Sequence, residues 1–124
     1  NQTPTVFSGN IWCGTCDKRA NRCHVRWSEN KIYGWRCANK AKQRHTRCSW
    51  ESIREDRLKE ITCLLTGTPK FTDDLFSSRV EKVVMPADKV AVFHMRDGRV
   101  FEVAFTKGKY ARPVTMNDVT EVRS

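Results

Sequence analysis

Four cysteines limit what this chain can fold into more than any other feature. Cys13-Gly14-Thr15-Cys16 is followed by twenty residues, then Cys37, then ten residues, then Cys48. Thiolates at i and i+3 can hold one metal from a tight turn, and two more on a returning hairpin can close the shell. Zinc accepts four sulfurs in a tetrahedron and has no geometric preference of its own, so a closed four-cysteine site is a structural pin. The second pair is spaced more widely than the usual two to four residues. His45 competes for the fourth place. Cys48 is preferred because soft thiolates already fill the other three. The expectation is one structural Zn2+ per chain on Cys13, Cys16, Cys37 and Cys48.

Three disulfides are the competing use of six cysteines. A secreted disulfide scaffold spreads its cysteines through the whole chain. Here none follows Cys63, so half of the 124 residues would be unstapled. A metal knuckle in a reducing cytosol fits better, with Cys23 and Cys63 left as small apolar residues. A redox Cys-x2-Cys site of thioredoxin type would need a βαβ setting, and a hairpin stands there instead. The chain opens at Asn1 without a signal-peptide pattern, and no apolar run approaches the length of a membrane span. The expectation is a cytoplasmic piece of a longer protein, nucleoid-associated when bound.

The formal charge is +9 and uneven: residues 17–47 carry 10 Lys plus Arg against 2 Asp plus Glu. Thiolates offset part of that excess and leave most of it. A basic face on one module is the electrostatic footprint of a nucleic-acid binder; a merely solvated surface is the bland alternative.

In chain order, residues 1–10 read as a linker that becomes a short strand. Gly14 is expected to supply the φ freedom of the metal turn. Residues 18–37 read as a β-hairpin turning at Ser28-Glu29-Asn30-Lys31 and delivering Cys37 beside the knuckle. Residues 38–47 are a polar loop. Ser52-Ile53-Arg54-Glu55 reads as a capping box opening a helix from Ile53 to Leu65, with Ile53, Leu58, Ile61, Leu64 and Leu65 as its apolar stripe. Thr72-Asp73-Asp74 opens a short helix through Arg79. Three strands follow, at 80–85, 90–96 and 99–105. Asp97-Gly98 between two apolar runs predicts a two-residue hairpin turn with Met95 facing Val100 and His94 facing Phe101. One face then holds Val90, Val92, His94, Phe101, Val103 and Phe105, with His94 a structural histidine. From Thr106 the tail reads as a basic arm or disordered. The fold class is α+β: a zinc β-ribbon over 1–50, a helix plus three-stranded antiparallel sheet over 51–105 packed with it as one module, and the tail over 106–124.

Phe7-Ser8-Gly9-Asn10-Ile11-Trp12-Cys13-Gly14-Thr15-Cys16 resembles the opening of the zinc β-ribbon domain of large serine recombinases, which runs F-S-G-hydrophobic-hydrophobic-x-C-G-x-C. Asn10 departs from that pattern. Tyr33-Gly34-Trp35-Arg36-Cys37 is similar to the family's aromatic-x-aromatic-R-C strand, and Cys48 followed by an amphipathic helix to its closing ligand. The likeness covers about residues 7–105. It implies a part that binds the outer portion of each attachment half-site, with the nucleophilic serine in a separate catalytic domain. Ser8 is no candidate, and the chain alone is expected to do no chemistry. Only Thr66 to Thr72 separates the two helical segments, which leaves no room there for the long coiled coil that many phage integrases of the family insert.

The expected partner is double-stranded DNA, bound by a monomeric fragment of a parent that is dimeric or tetrameric on DNA. Arg19, Arg22, Arg26, Lys40, Lys42, Arg44 and Arg47 are the expected contact set. Arg44 and Arg47 are expected at bases or in the minor groove, and the lysines on phosphates. His24 and His45 can add hydrogen bonds. Trp27 and Trp35 read as packing residues. A protein-interaction ribbon, supported by aromatics at Trp12, Trp27 and Trp50, and an RNA-binding module with stacking tryptophans are the alternatives.

Overall fold

The computed structural model describes residues 5–14, 18–26, 32–37, 52–106 and 111–122, with backbone alone for 24–26 and 32. The strands are β1 (Ile11–Cys13), β2 (Ala20–Arg26), β3 (Ile32–Cys37), β4 (Ile53–Arg54), β5 (Val80–Ala87), β6 (Val90–Met95), β7 (Val100–Ala104) and β8 (Val119–Val122). The helices are α1 (Glu55–Thr66) and α2 (Asp73–Arg79), and a 3-10 turn spans Met116–Asp118. The class is α+β, as the sequence predicts. Strands β2-β3-β4 form an antiparallel ribbon sheet, and β1-β5-β6-β7-β8 form a second, mixed sheet.

The second sheet is wider than the three strands expected. Strand β1 runs parallel to β5, pairing Ile11 with Val83 and Cys13 with Met85. Val83 N–H donates to the Asn10 carbonyl at 2.8 Å, and Gly14 N–H donates to the Met85 carbonyl at 2.9 Å. An open strand edge leaves backbone groups unpaired, and β1 satisfies those of β5. On its other side β1 touches the ribbon through a bridge between Trp12 and Arg19. It therefore links the two sheets.

The β6–β7 register corrects the sequence expectation. Met95 N–H donates to the Arg99 carbonyl, so Arg96-Asp97-Gly98 is a three-residue loop. Gly98 takes φ of 94°, which a side chain would resist. His94 pairs with Val100, Phe93 with Phe101 and Ala91 with Val103. One added loop residue slides the strands by one and exchanges the faces of β6. Ala91, Phe93, Met95, Phe101, Val103 and Phe105 are buried, while Val90, Val92 and His94 stand half-buried on the opposite face. Burial lowers the His94 pKa, Lys82 lowers it further and Glu81 raises it.

Helix α1 starts later than predicted because Ile53 and Arg54 extend the ribbon, pairing with Trp35 and Gly34. Arg54 is the N-cap and makes no side-chain capping bond, so the Ser52–Glu55 capping box does not form. The helix ends as predicted at Gly67, where Thr68 N–H reaches back to the Cys63 carbonyl at 3.0 Å. Leu58 and Ile61 are fully buried, with Leu64 and Leu65 packed beside them. Thr62 is buried too, and its hydroxyl donates to the Leu58 carbonyl at 2.8 Å. Helix α2 is capped as predicted, the Thr72 hydroxyl accepting from Leu75 N–H.

Phe7 belongs to no strand. It is buried, with its ring 4.8 Å from that of Phe76 and 5.8 Å from that of Phe71. Burying such a ring stabilises by about 1.5–3 kcal/mol. The residues expected to be a linker thus anchor the ribbon onto α2.

Residues 111–122 differ from the expected arm. Val114 is buried, and β8 pairs with β7 from Val100↔Val122 to Val103↔Val119. Arg57 on α1 donates to the carbonyls of Arg112 and Thr106, and Glu60 accepts from Val114 N–H at 2.8 Å. These contacts join positions far apart in sequence, which a local reading of a polar tail cannot register. One buried cluster includes Phe7, Cys13, Trp35 and Cys37 from the first part and Phe76, Phe93 and Val103 from the second.

Candidate metal centre and basic face

The start of β2 brings the ends of β1 and β3 together. Trp12 bridges to Arg19, and Cys13 N–H donates to the Lys18 carbonyl at 2.8 Å. One residue on, Ala20 pairs with Cys37. Cys13 and Cys37 therefore flank the same short segment, and both are buried, at 1% and 0% exposure. Both also point into the common core, since Ile11 and Cys13 share one face of β1 and Cys37 shares one face of β3 with Trp35.

Cys16 and Cys48, the other two expected ligands, lie outside the described residues, as does His45. Among the described residues no group of three or more ligand-type side chains forms. Soft donors converging from two strands fit half of a zinc-thiolate shell. Of this set the structure describes Cys13 and Cys37.

Gly14 meets a different demand from the one expected. Its φ is not in the left-handed region. A Cβ there would stand 2.9 Å from the Pro86 Cα and 3.2 Å from the Met85 carbonyl oxygen. Glycine is needed so that the knuckle can press against β5.

Cys23 pairs with Gly34 on β3, three positions along β2 from Ala20, and Cys63 lies on α1. Cys23 and Cys63 are half-buried free thiols. Burial pushes the Cys23 thiol up, against a smaller pull downward from Arg36, so it stays protonated at neutral pH.

The expected contact arginines divide. Arg19 is exposed, its guanidinium 5.3 Å from the centre of the Trp12 ring. Arg22 is turned inward. Its Nε donates to Glu55 Oε2 at 2.8 Å and its Nη2 to Oε1 at 3.0 Å, while Trp35 Nε1 donates to Oε2 at 3.0 Å. Its guanidinium also lies 3.9 Å from the Tyr33 ring centre. The side chains of Arg22 and Glu55 are 15% and 12% exposed, which makes the pair an internal clamp from β2 to the first turn of α1. Strand alternation carries the signal for this: residues 20, 22, 35 and 37 share the face that holds Ala20, Trp35 and Cys37. The side chain of Arg26, and the whole of Lys40, Lys42, Arg44 and Arg47, lie outside the described residues, as do Trp27, Trp50 and the hairpin turn 28–31.

Residues 6–62 match the family model of the recombinase zinc beta ribbon domain. The match runs from the Phe7 anchor through Cys13, Cys37 and the Glu55 clamp into α1, and it stops before β5–β8. No curated protein and no solved structure shows significant similarity to the chain. The cysteine spacing and the family match point to the same domain over residues 6–62, the recombinase zinc β-ribbon.

Proposed function

We propose that this chain is the DNA-gripping part of a large serine recombinase of integrase, transposon or cassette type. It holds the duplex of an attachment half-site and leaves strand cutting to a serine catalytic domain elsewhere in the parent protein. The carrying observation is that the recombinase ribbon match over 6–62 encloses the +8 segment 17–47. One Zn2+ on Cys13, Cys16, Cys37 and Cys48 ties the knuckle to the hairpin and supplies folding free energy to a module with a small core of its own. Arg19, Arg26, Lys40, Lys42, Arg44 and Arg47 form the contact set. Arg22 drops out because Glu55 already engages its Nε and Nη2 and the pair is largely buried. The ribbon over 1–50 and the helix and sheet over 51–105 act as one module, with residues 111–122 latched along it. The fragment is a monomer, the parent a dimer or tetramer on DNA in the bacterial cytoplasm.

The test is fluorescence anisotropy on labelled duplex across a salt series. The parent chain should show a steep negative slope of log K against log salt, because each neutralised phosphate releases about 0.9 counterions. Arg44→Ala with Arg47→Ala should weaken binding at every salt concentration and flatten that slope, with zinc content unchanged. Binding equal to the parent's throughout the series would remove the 38–47 loop as the contact. A flat slope for the parent itself would point to a protein-binding ribbon.

A further inference from the structure

The β2–β3–β4 sheet has two faces of different chemistry. Ala20, Arg22, Trp35 and Cys37 lie on the inner one. Strand alternation puts Arg19, Asn21, Cys23, Arg36 and Arg54 on the other, since Asn21 pairs with Arg36 and Gly34 pairs with both Cys23 and Arg54. Arg19, Asn21, Arg36 and Arg54 are all exposed. Arg36 acts electrostatically on the Cys23 thiol, as a neighbour on the same face must. Arg54 meets Asp56 at 2.7 Å, but both side chains are about half exposed or more, at 47% and 64%. Pairs of that kind are weak and yield to a stronger anion. On this face the three arginines face no carboxylate other than Asp56 among the described residues.

We infer that this outward face of the ribbon sheet, with Arg36 and Arg54 beside Arg19, is a phosphate-contacting surface for duplex DNA. The inference rests on the function proposed above and extends its contact set to two residues outside it. Charge complementarity selects the occupant. Diagonal neighbours on a sheet stand roughly 7–8 Å apart, so long arginines at Arg19, Arg36 and Arg54 can fan over successive phosphates. A guanidinium donates in a planar fork that suits phosphate oxygens. Contacts of this kind hold register on the duplex and carry little sequence information.

The experiment compares four proteins on one duplex across a salt series: the parent chain, Arg36→Ala/Arg54→Ala, Arg36→Lys/Arg54→Lys, and Lys59→Ala/Lys70→Ala. The last removes two exposed cations that lie off the ribbon sheet. Zinc content and far-UV circular dichroism are measured on each. The expected result is that the arginine-to-alanine pair lowers the magnitude of the slope by about 1.8, two phosphate contacts at about 0.9 each. The lysine pair should keep the parent's slope, and the Lys59/Lys70 pair should keep it too. An unchanged slope for Arg36→Ala/Arg54→Ala, with the Arg44/Arg47 variant still flattened, overturns this inference and leaves the function standing. An equal loss in the Lys59/Lys70 variant overturns it as well, because the effect is then general charge. Absence of salt-dependent duplex binding by the parent chain overturns the function and the inference together. Preference of the parent for single-stranded RNA over duplex, with the same two arginines responsible, overturns the duplex assignment. An unfolded alanine variant is replaced by Arg36→Gln/Arg54→Gln, read against the same criteria.

Discussion

Glu55 shows how one residue can be recognised as important and still be given the wrong partner. Its position three residues after Ser52 suggests a capping box, a local device. In the fold its carboxylate accepts from Arg22 and from Trp35 Nε1, thirty-three and twenty residues away. A long-range partner won because the β4 pairing fixes Ile53-Arg54 as extended chain and sets the first turn of α1 beside the ribbon. Glu55→Ala should therefore destabilise the ribbon beyond the loss of a cap. A largely buried arginine left without its carboxylate costs about 3–5 kcal/mol at full burial, and the partial exposure here reduces this to about 2–3 kcal/mol. Urea unfolding followed by tryptophan emission reads it. A change under about 0.5 kcal/mol, typical of an exposed helix position, would show that the clamp contributes nothing. Gly14 is a parallel case at the same scale. A Cys-x2-Cys turn explains a glycine by its torsion, and only the parallel pairing of β1 with β5 reveals that space against Pro86 is what matters.

Among the elements, those governed by local chemistry were legible. The Thr72 cap, the stop at Gly67 and the apolar stripe of α1 each depend on residues within one or two turns. The β6–β7 hairpin was legible as a hairpin and misread in register. Asp-Gly is compatible with both a two-residue and a three-residue loop, and the choice moves Phe93 and Ala91 into the core and His94 out of it. The β8 latch was not legible, since its strand is short and exposed along most of its length. Pairing with β7 holds it, and an ion pair braces the turn that leads into it. Arg112 donates from both Nη atoms to Asp118, and Thr115 N–H donates to the same carboxylate. These donors, the Arg112 side chain first, lower the Asp118 pKa from 3.8 to about 2. A carboxyl depressed on folding contributes stability that is fully present above its unfolded value and is lost as pH falls through its folded one. The latch should accordingly hold above pH 4 and loosen between about 4 and 2. Amide exchange at Thr120 and Val122, measured across that window, should speed up beyond the intrinsic pH trend. Asp118→Asn should abolish the extra dependence. Equal pH profiles in the parent and the variant would remove this carboxylate from the latch.

At the scale of the whole molecule, β1 joins two parts with different sources of stability. The ribbon contributes Ala20, Trp35, Ile53 and two cysteines to the core, whereas α1, α2 and β5–β8 contribute Leu58, Ile61, Phe76, Val80, Phe93, Phe101 and Val103. One buried cluster runs through both, the second part supplies most of its large side chains, and the zinc proposed above would pin the first. All four tryptophans, Trp12, Trp27, Trp35 and Trp50, fall in the first 50 residues, so their emission reports on the ribbon and hardly on the rest. Chelation is expected to act unequally. A strong zinc chelator should release one Zn2+ per chain and shift tryptophan emission to the red as Trp35 leaves the core. The amides of β6 and β7 should stay protected from exchange, because their partners β5 and β8 do not pass through the metal site. Protection at β1 should fall with the ribbon, since Cys13 sits at its end and Lys18 accepts from it. Local opening of this kind is ordinary in proteins built from separable cooperative units. Duplex binding should vanish at the chelator concentration that shifts the tryptophans, well before the second sheet unfolds. Simultaneous loss of β1 and β6–β7 protection would mean that Phe7, packed on Phe71 and Phe76, couples the two parts into one cooperative unit. Emission unchanged by chelator, with no zinc released, would mean that the buried pair Cys13 and Cys37 holds the ribbon through packing alone.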